Sequence, residues 1–228
     1  MLKKLMFLIL PVVLVLSLSC NAKGGKNLKT QKQKVSYSIG LDIGKNFKQN
    51  AIDIDVNKLF LGIKDALAGA KPKLTDEEIR AVMMQFQQDR QSSQSKVGAA
   101  NLEKGKIFLE ANKKKKGIVV LPDGLQYKII TQGKGSKPSA TDKVTVHYKG
   151  TLIDGTEFDS SYKRGQPASF PVNGVIKGWT EILQLMPVGS KWEVFIPGDL
   201  AYGERGAGGS IGPNETLIFT IELLSIDK

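Results

Sequence analysis

Val175-Ile176-Lys177-Gly178-Trp179 sets an apolar pair, a short turn and a tryptophan side by side, and the C-terminal third of the chain reads outward from it. Ala201-Tyr202-Gly203 and Leu217-Ile218-Phe219 supply a tyrosine and a phenylalanine from later in the same third. Together these residues describe an aromatic-lined apolar pocket with very few polar groups. Such a pocket binds; it has little with which to do covalent chemistry.

The residues around that stretch alternate as strands do. Val144-Thr145-Val146-His147-Tyr148 and Lys191-Trp192-Glu193-Val194-Phe195-Ile196-Pro197 have the two-residue period of half-buried strands. Leu217 to Leu224 is a third, long enough to sit centrally, and Ile118 to Leu121 and Leu125 to Ile130 begin the sheet. Asp154-Gly155, Asn173-Gly174 and the glycine-rich run 206–212 punctuate turns and loops. Thr180 to Met186 has room for about two helical turns before Pro187 stops it. An antiparallel sheet wrapped on one short helix is the economical reading.

Five blocks in order carry a family resemblance: 146–150, 155–161, 175–179, 201–203 and 211–219. They resemble the FKBP family of peptidyl-prolyl cis-trans isomerases. Val35 to Gly40, Leu121 to Tyr127 and Glu181 to Ser190 resemble the macrophage infectivity potentiator (Mip) type of bacterial FKBP. The resemblance implies an α+β fold: an N-terminal helical dimerisation region with a long connecting helix, then the FKBP-like antiparallel β-sheet wrapped on a short helix. It divides the chain into a signal peptide (1–19), a flexible tether (20–34), the helical region (35–117) and the isomerase domain (118–228).

The resemblance also implies the site. Trp179 is the floor, with Tyr148, Phe158, Val175, Ile176, Ile211 and Phe219 as walls. Tyr202 donates its hydroxyl to a substrate carbonyl, Asp159 lies near the twisting amide, and the Ile176 N–H is a further donor. The reaction needs no nucleophile, metal or cofactor. Proline-containing polypeptides are the implied substrates and macrolides the implied inhibitors. His147 receives no catalytic part, because Val144, Val146 and Tyr148 claim the inner face of their strand. Two positions depart from many relatives: Ala168 replaces a wall phenylalanine, and Ala207 replaces a histidine in the loop after Tyr202. Both open the rim and bear on substrate preference and macrolide affinity.

Composition narrows the remaining classes. A 228-residue chain that is 41% apolar and 24% charged has room for one large or two modest domains with a buried core. The net charge of +11 raises nucleic acid as a partner, yet the lysines are scattered apart from Lys113 to Lys116, and no nucleic-acid motif accompanies them. That run, with Gly117, reads as the solvated end of a helix. One cysteine excludes an internal disulfide, and one histidine argues against a histidine- and cysteine-based zinc site.

Lys3-Lys4, an apolar run from Leu5 to Leu18 and Ser19-Cys20 have the layout of a secretory signal, with the cysteine where a lipoprotein signal puts it. Lipidation of Cys20 would anchor the chain to a membrane on the extracytoplasmic side, periplasmic or outward. A plain signal peptide with an incidental cysteine is the alternative. Asn21 to Lys34 is polar and lysine-rich and reads as a tether.

Helical periodicity then takes over. Val35, Ile39, Ile43 and Phe47 recur every four residues, and Val56 to Ala68 forms a second helix. Thr75-Asp76-Glu77-Glu78 is a capping box that opens a long helix to about Lys114. Apolar residues are nearly absent from Gln87 to Lys96, which predicts a solvated strut. The apolar cluster of these helices is too small for a confident stand-alone core, and the resemblance implies that it closes as a homodimer; a monomeric three-helix appendage is the alternative. A prolyl isomerase, a chaperone with incidental isomerase activity and a surface adhesin that uses the dimer as a spacer are the competing functions.

Overall fold

The computed structural model describes residues 27–227. The expected signal segment, Cys20 and the first part of the tether lie outside them. The chain divides after Asn46 into two units, the second of which begins at Phe47 and holds the whole sheet.

Helix α1 spans Gln31–Gln49 and has no buried residue. It starts four residues before Val35, inside the segment read as tether. The cause is local: the Gln33 N–H donates to Thr30 Oγ1 at 3.2 Å, and the Thr30 N–H donates back to Gln33 Oε1 at 3.0 Å. Thr30-x-x-Gln33 is a reciprocal cap with glutamine in place of glutamate, and it outweighs the polar, lysine-rich composition.

Helix α2 (Val56–Leu67) opens on Asp55, whose Oδ1 accepts from the Asn57 and Lys58 N–H groups at 2.9 and 3.1 Å. Helix α3 (Asp76–Asn112) opens on the Thr75/Glu78 capping box that the sequence predicts. Its middle, from Gln87 to Lys96, is exposed apart from the half-buried Arg90. No helix among the described residues is long and apolar enough to cross a membrane.

The end of α3 is different from its middle, because it packs on the sheet domain. Gly98, Gly105 and Asn112 are its buried residues, seven apart, a spacing that keeps one stripe of a helix facing one partner. The glycines are there for close approach. A Cβ on Gly105 would stand 2.3 Å from Thr216 Oγ1, and one on Gly98 would stand 3.1 Å from Pro213 Cβ. Asn101 Nδ2 donates to the Pro213 carbonyl at 3.0 Å on the same stripe.

The sheet is antiparallel throughout, with order β1-β2-β6-β7-β3-β4 and β5 pairing with β3. Its strands are β1 (Ile118–Val120), β2 (Gln126–Thr131), β3 (Lys143–Leu152), β4 (Glu157–Ser160), β5 (Ala168–Pro171), β6 (Lys191–Ile196) and β7 (Leu217–Asp227). β7 is central, as its long apolar run predicts. Helix α4 (Lys177–Leu185) buries Trp179, Ile182 and Leu183 against the inner face of the sheet, where Val144 and Val146 of β3, Val194 and Ile196 of β6 and Ile221 and Leu223 of β7 are fully buried. α4 begins three residues before Thr180, so Trp179 sits in its first turn and not in the preceding loop. Side chains alternate across a strand, so Phe195 points from β6 to the opposite face. There its ring meets Phe108 of α3, with centroids 6.0 Å apart.

Candidate functional site

A cavity of about 410 Å³ opens where α4 meets β3, β4, β5 and β7. Its floor is Trp179, only 4% exposed. The indole is placed by the start of α4: Ile176 is the N-cap in extended conformation, and its carbonyl accepts from the Trp179 and Thr180 N–H groups at 2.9 and 3.0 Å. Tyr148, Phe170 and Phe219 stand at 85–89° or 82° to the indole plane, with centroids at 5.3, 5.9 and 5.2 Å. Phe158 in turn meets Phe219 edge to face at 5.5 Å. Edge-to-face pairs are the favoured arrangement for aromatic quadrupoles, so the walls brace one another and leave the hollow open.

The polar groups gather on one side. Asp159 accepts from the Tyr148 hydroxyl and from Arg164 Nη1 through short hydrogen bonds, and from the Ser160 N–H at 2.8 Å. Arg164 Nη2 also donates to the Tyr148 hydroxyl at 2.8 Å. Burial by itself would raise the Asp159 carboxyl, but hydrogen bonds from Tyr148 and Arg164 and the arginine charge together hold it below the ordinary aspartate value. Burial pushes the Tyr148 hydroxyl up, and its bond to Asp159 adds to the effect. Burial, then the charge of Asp159, raises the Tyr202 hydroxyl. At neutral pH the site therefore holds a carboxylate, a guanidinium and two neutral phenols.

The structure brings Tyr148, Phe158, Asp159, Val175, Ile176, Trp179, Tyr202 and Phe219 around this one cavity. Tyr202 is 41% exposed at its mouth, and among the described residues its hydroxyl has no protein partner. Ile211 does not line the cavity. Its N–H and carbonyl both pair with Ala207, and the side chain turns into the core at 7% exposure. Ala168 packs at the edge of the core, while Phe170, two residues on along β5, supplies a wall.

Sequence reasoning missed Phe170, Gly174 and Arg164. Alternation along β5 signals Phe170, since it shares a face with Ala168. Arg164 sits in the turn after β4, where no periodicity marks it. His147 lies outside the cavity, stacked on Tyr162 at 4.8 Å with Nδ1 3.0 Å from Ser161 Oγ.

Known proteins resemble the chain over nearly its whole length. Residues 134–224 match the family described as FKBP-type peptidyl-prolyl cis-trans isomerase, and residues 32–129 match the domain amino terminal to it. The chain is 55% identical over 219 residues to the outer membrane protein MIP of Legionella longbeachae, covering 94% of both chains. It is 47% identical over 226 residues to the peptidyl-prolyl cis-trans isomerase Mip of Coxiella burnetii, covering 97% of this chain and 98% of the relative. The crystal structure of FkpA from Escherichia coli is similar with a TM-score of 0.62 and 40% identity, covering 88% of this chain and 99% of that one. The chain belongs to the FKBP-type peptidyl-prolyl cis-trans isomerase family.

Proposed function

We propose that the chain catalyses cis–trans isomerisation of X-Pro bonds in polypeptides, and that it does so in the cavity floored by Trp179. The observation that carries this reading is the cavity itself: three aromatic edges around an indole, with polar groups on one side only. Rotation about a peptide bond is opposed by a barrier of about 18–20 kcal/mol, which comes from amide resonance. The twisted amide loses that resonance and is less dipolar than the planar one. A site that binds the twisted form better accelerates the rotation without making or breaking a covalent bond.

Each residue has a part in this reading. Trp179, Tyr148, Phe158, Val175 and Phe219 hold the proline ring and exclude water, which favours the planar, polar form. The Tyr202 hydroxyl and the Ile176 N–H are the donors that orient substrate carbonyls. Asp159 presents its carboxylate near the twisting amide, and Arg164 fixes the direction of that carboxylate. Macrolides are the expected inhibitors of the same apolar hollow.

The assignment of residues 35–117 as a dimerisation region rests on exposed apolar side chains. Val56, Phe60 and Leu67 of α2 and Met84 of α3 are between 67% and 86% exposed, and α2 buries nothing. A second copy of the chain that covers these faces would complete the core. Export and lipidation at Cys20 agree with a relative described as an outer membrane protein. The expected clients are therefore exported polypeptides.

The test is an isomerase assay on the full mature chain with a peptide carrying an apolar residue before proline. Tyr202→Phe removes one donor without disturbing any internal hydrogen bond. The reading predicts a drop in kcat/KM of about tenfold, or about 1.4 kcal/mol, with unchanged thermal stability. An unchanged rate would remove Tyr202 from the mechanism.

A further inference from the structure

A second groove, about 360 Å³ in volume, lies on the opposite face of the sheet, between the end of α3 and strands β1, β2, β6 and β7. It shares no lining residue with the Trp179 cavity. Phe108, Phe195 and Ile218 make an apolar floor, and Lys115, Lys116 and Lys128 stand around it, with Glu193 the single acid in its lining. Lys113, the other end of the lysine run, is neutralised by Glu110 at 2.6 Å, whereas Lys116 and Lys128 form no ion pair among the described residues. The Lys115 ammonium lies 5.7 Å from the Phe108 ring centroid, over the apolar floor.

A buried side-chain amide forms part of the groove's wall. Asn112 lines it and is 1% exposed. Its Nδ2 donates to Gln126 Oε1 at 3.0 Å, and Gln126 Nε2 donates to the Leu109 carbonyl at 3.0 Å, which fixes the amide's orientation. The Asn112 Oδ1 has no partner. That oxygen is closed to solvent, so the groove offers a ligand its apolar floor and its lysines.

We propose that this groove is a second polypeptide-binding site that takes an apolar side chain flanked by acidic residues. The apolar side chain lies on Phe108, Phe195 and Ile218, and the flanking carboxylates face Lys115, Lys116 and Lys128. The charge excess around the groove selects an acidic segment over a basic one. A client held here is tethered beside the isomerase domain by a part of its chain that contains no proline. Tethering of this kind raises the effective concentration of its prolyl bonds at the cavity on the other face.

The test is NMR titration of the isotopically labelled full chain with the blocked, proline-free pentapeptide Glu-Phe-Glu-Phe-Glu, and with its lysine counterpart. The acidic peptide shifts the Asn112 side-chain amide and the Ile118 and Ile218 methyls at concentrations below about 1 mM. It binds at least about tenfold more tightly than the basic one, weakens with added salt, and binds about fivefold less tightly to Lys128→Glu. No shift at these three residues, shifts confined to the Trp179 indole, or equal binding of the basic peptide would overturn the proposal. The probe lacks proline, so its failure to bind leaves the isomerase reading intact, and a failed isomerase assay leaves this one intact.

Discussion

Arg164 holds Tyr148 in two ways at once: its guanidinium carbon lies 5.4 Å from the ring centroid, and its Nη2 donates to the hydroxyl at 2.8 Å. The second arm of the same guanidinium reaches Asp159, which also accepts from Tyr148. A planar fork can serve a carboxylate and a phenol together, whereas a lysine offers one point charge.

Arg164→Met should therefore lower kcat/KM for an X-Pro peptide by about tenfold, the effect of losing one hydrogen bond to a charged group discounted for exposure. Arg164→Lys should recover only part of it. The pH profile separates positioning from packing. Because the folded-state value of Asp159 is depressed, its charged network is complete above the ordinary aspartate value of about 3.9 and is lost as pH falls through the lower folded value. In Arg164→Met the acid limb of kcat/KM should move upward. An unmoved limb would show that Arg164 does not set the state of Asp159.

Gly105 and Thr216 form a second pair that can be tested. Gly105→Ala should destabilise the chain by about 1–3 kcal/mol through overpacking, although alanine favours helix by up to about 1 kcal/mol. Adding Thr216→Ala should restore most of the loss. Urea denaturation of the two single variants and the double variant measures the coupling. A stabilising Gly105→Ala would mean that the end of α3 does not seat on the sheet.

Glu181 on α4 stands within side-chain reach of Asp123, where one protonated carboxyl can donate to the other. That hydrogen bond, then partial burial and the Asp123 charge, pushes its carboxyl up to about 7. A raised acid binds its proton more tightly in the folded state, so the pair loses stability as pH rises from about 4.5 to about 7. Glu181→Gln should match the wild type at pH 4.5. At pH 8 it should be more stable by a few tenths of a kcal/mol, the scale of a solvent-screened pair. Thermal melts at the two pH values check the sign.

Most of the cavity's lining was legible because Tyr148, Phe158-Asp159, Val175-Ile176, Trp179, Tyr202 and Phe219 fall in the short blocks that carry the family resemblance. Much of what was not legible depends on distant parts of the chain. Gly98 and Gly105 look like interruptions of a helix until the 213–216 segment packs against them. Arg164 becomes part of the site only when the turn after β4 folds its guanidinium back over Tyr148. Ile211 sits beside a glycine-rich loop, and its pairing with Ala207 turns it inward, which no local pattern encodes. The start of α1 was hidden for the opposite reason, since the Thr30/Gln33 cap is local but lies in a polar segment.

The central claim is that the indole of Trp179 floors a hollow in which a prolyl bond turns. Exchange spectroscopy on an apolar-X-Pro peptide in the presence of the full chain tests it most directly, because uncatalysed exchange takes about 10–100 s at 25 °C. With the wild-type chain, cis–trans cross-peaks should build up within about a second, and with folded Trp179→Leu they should fall to a small fraction of that rate. Exchange that proceeds equally fast with the leucine variant would contradict the account.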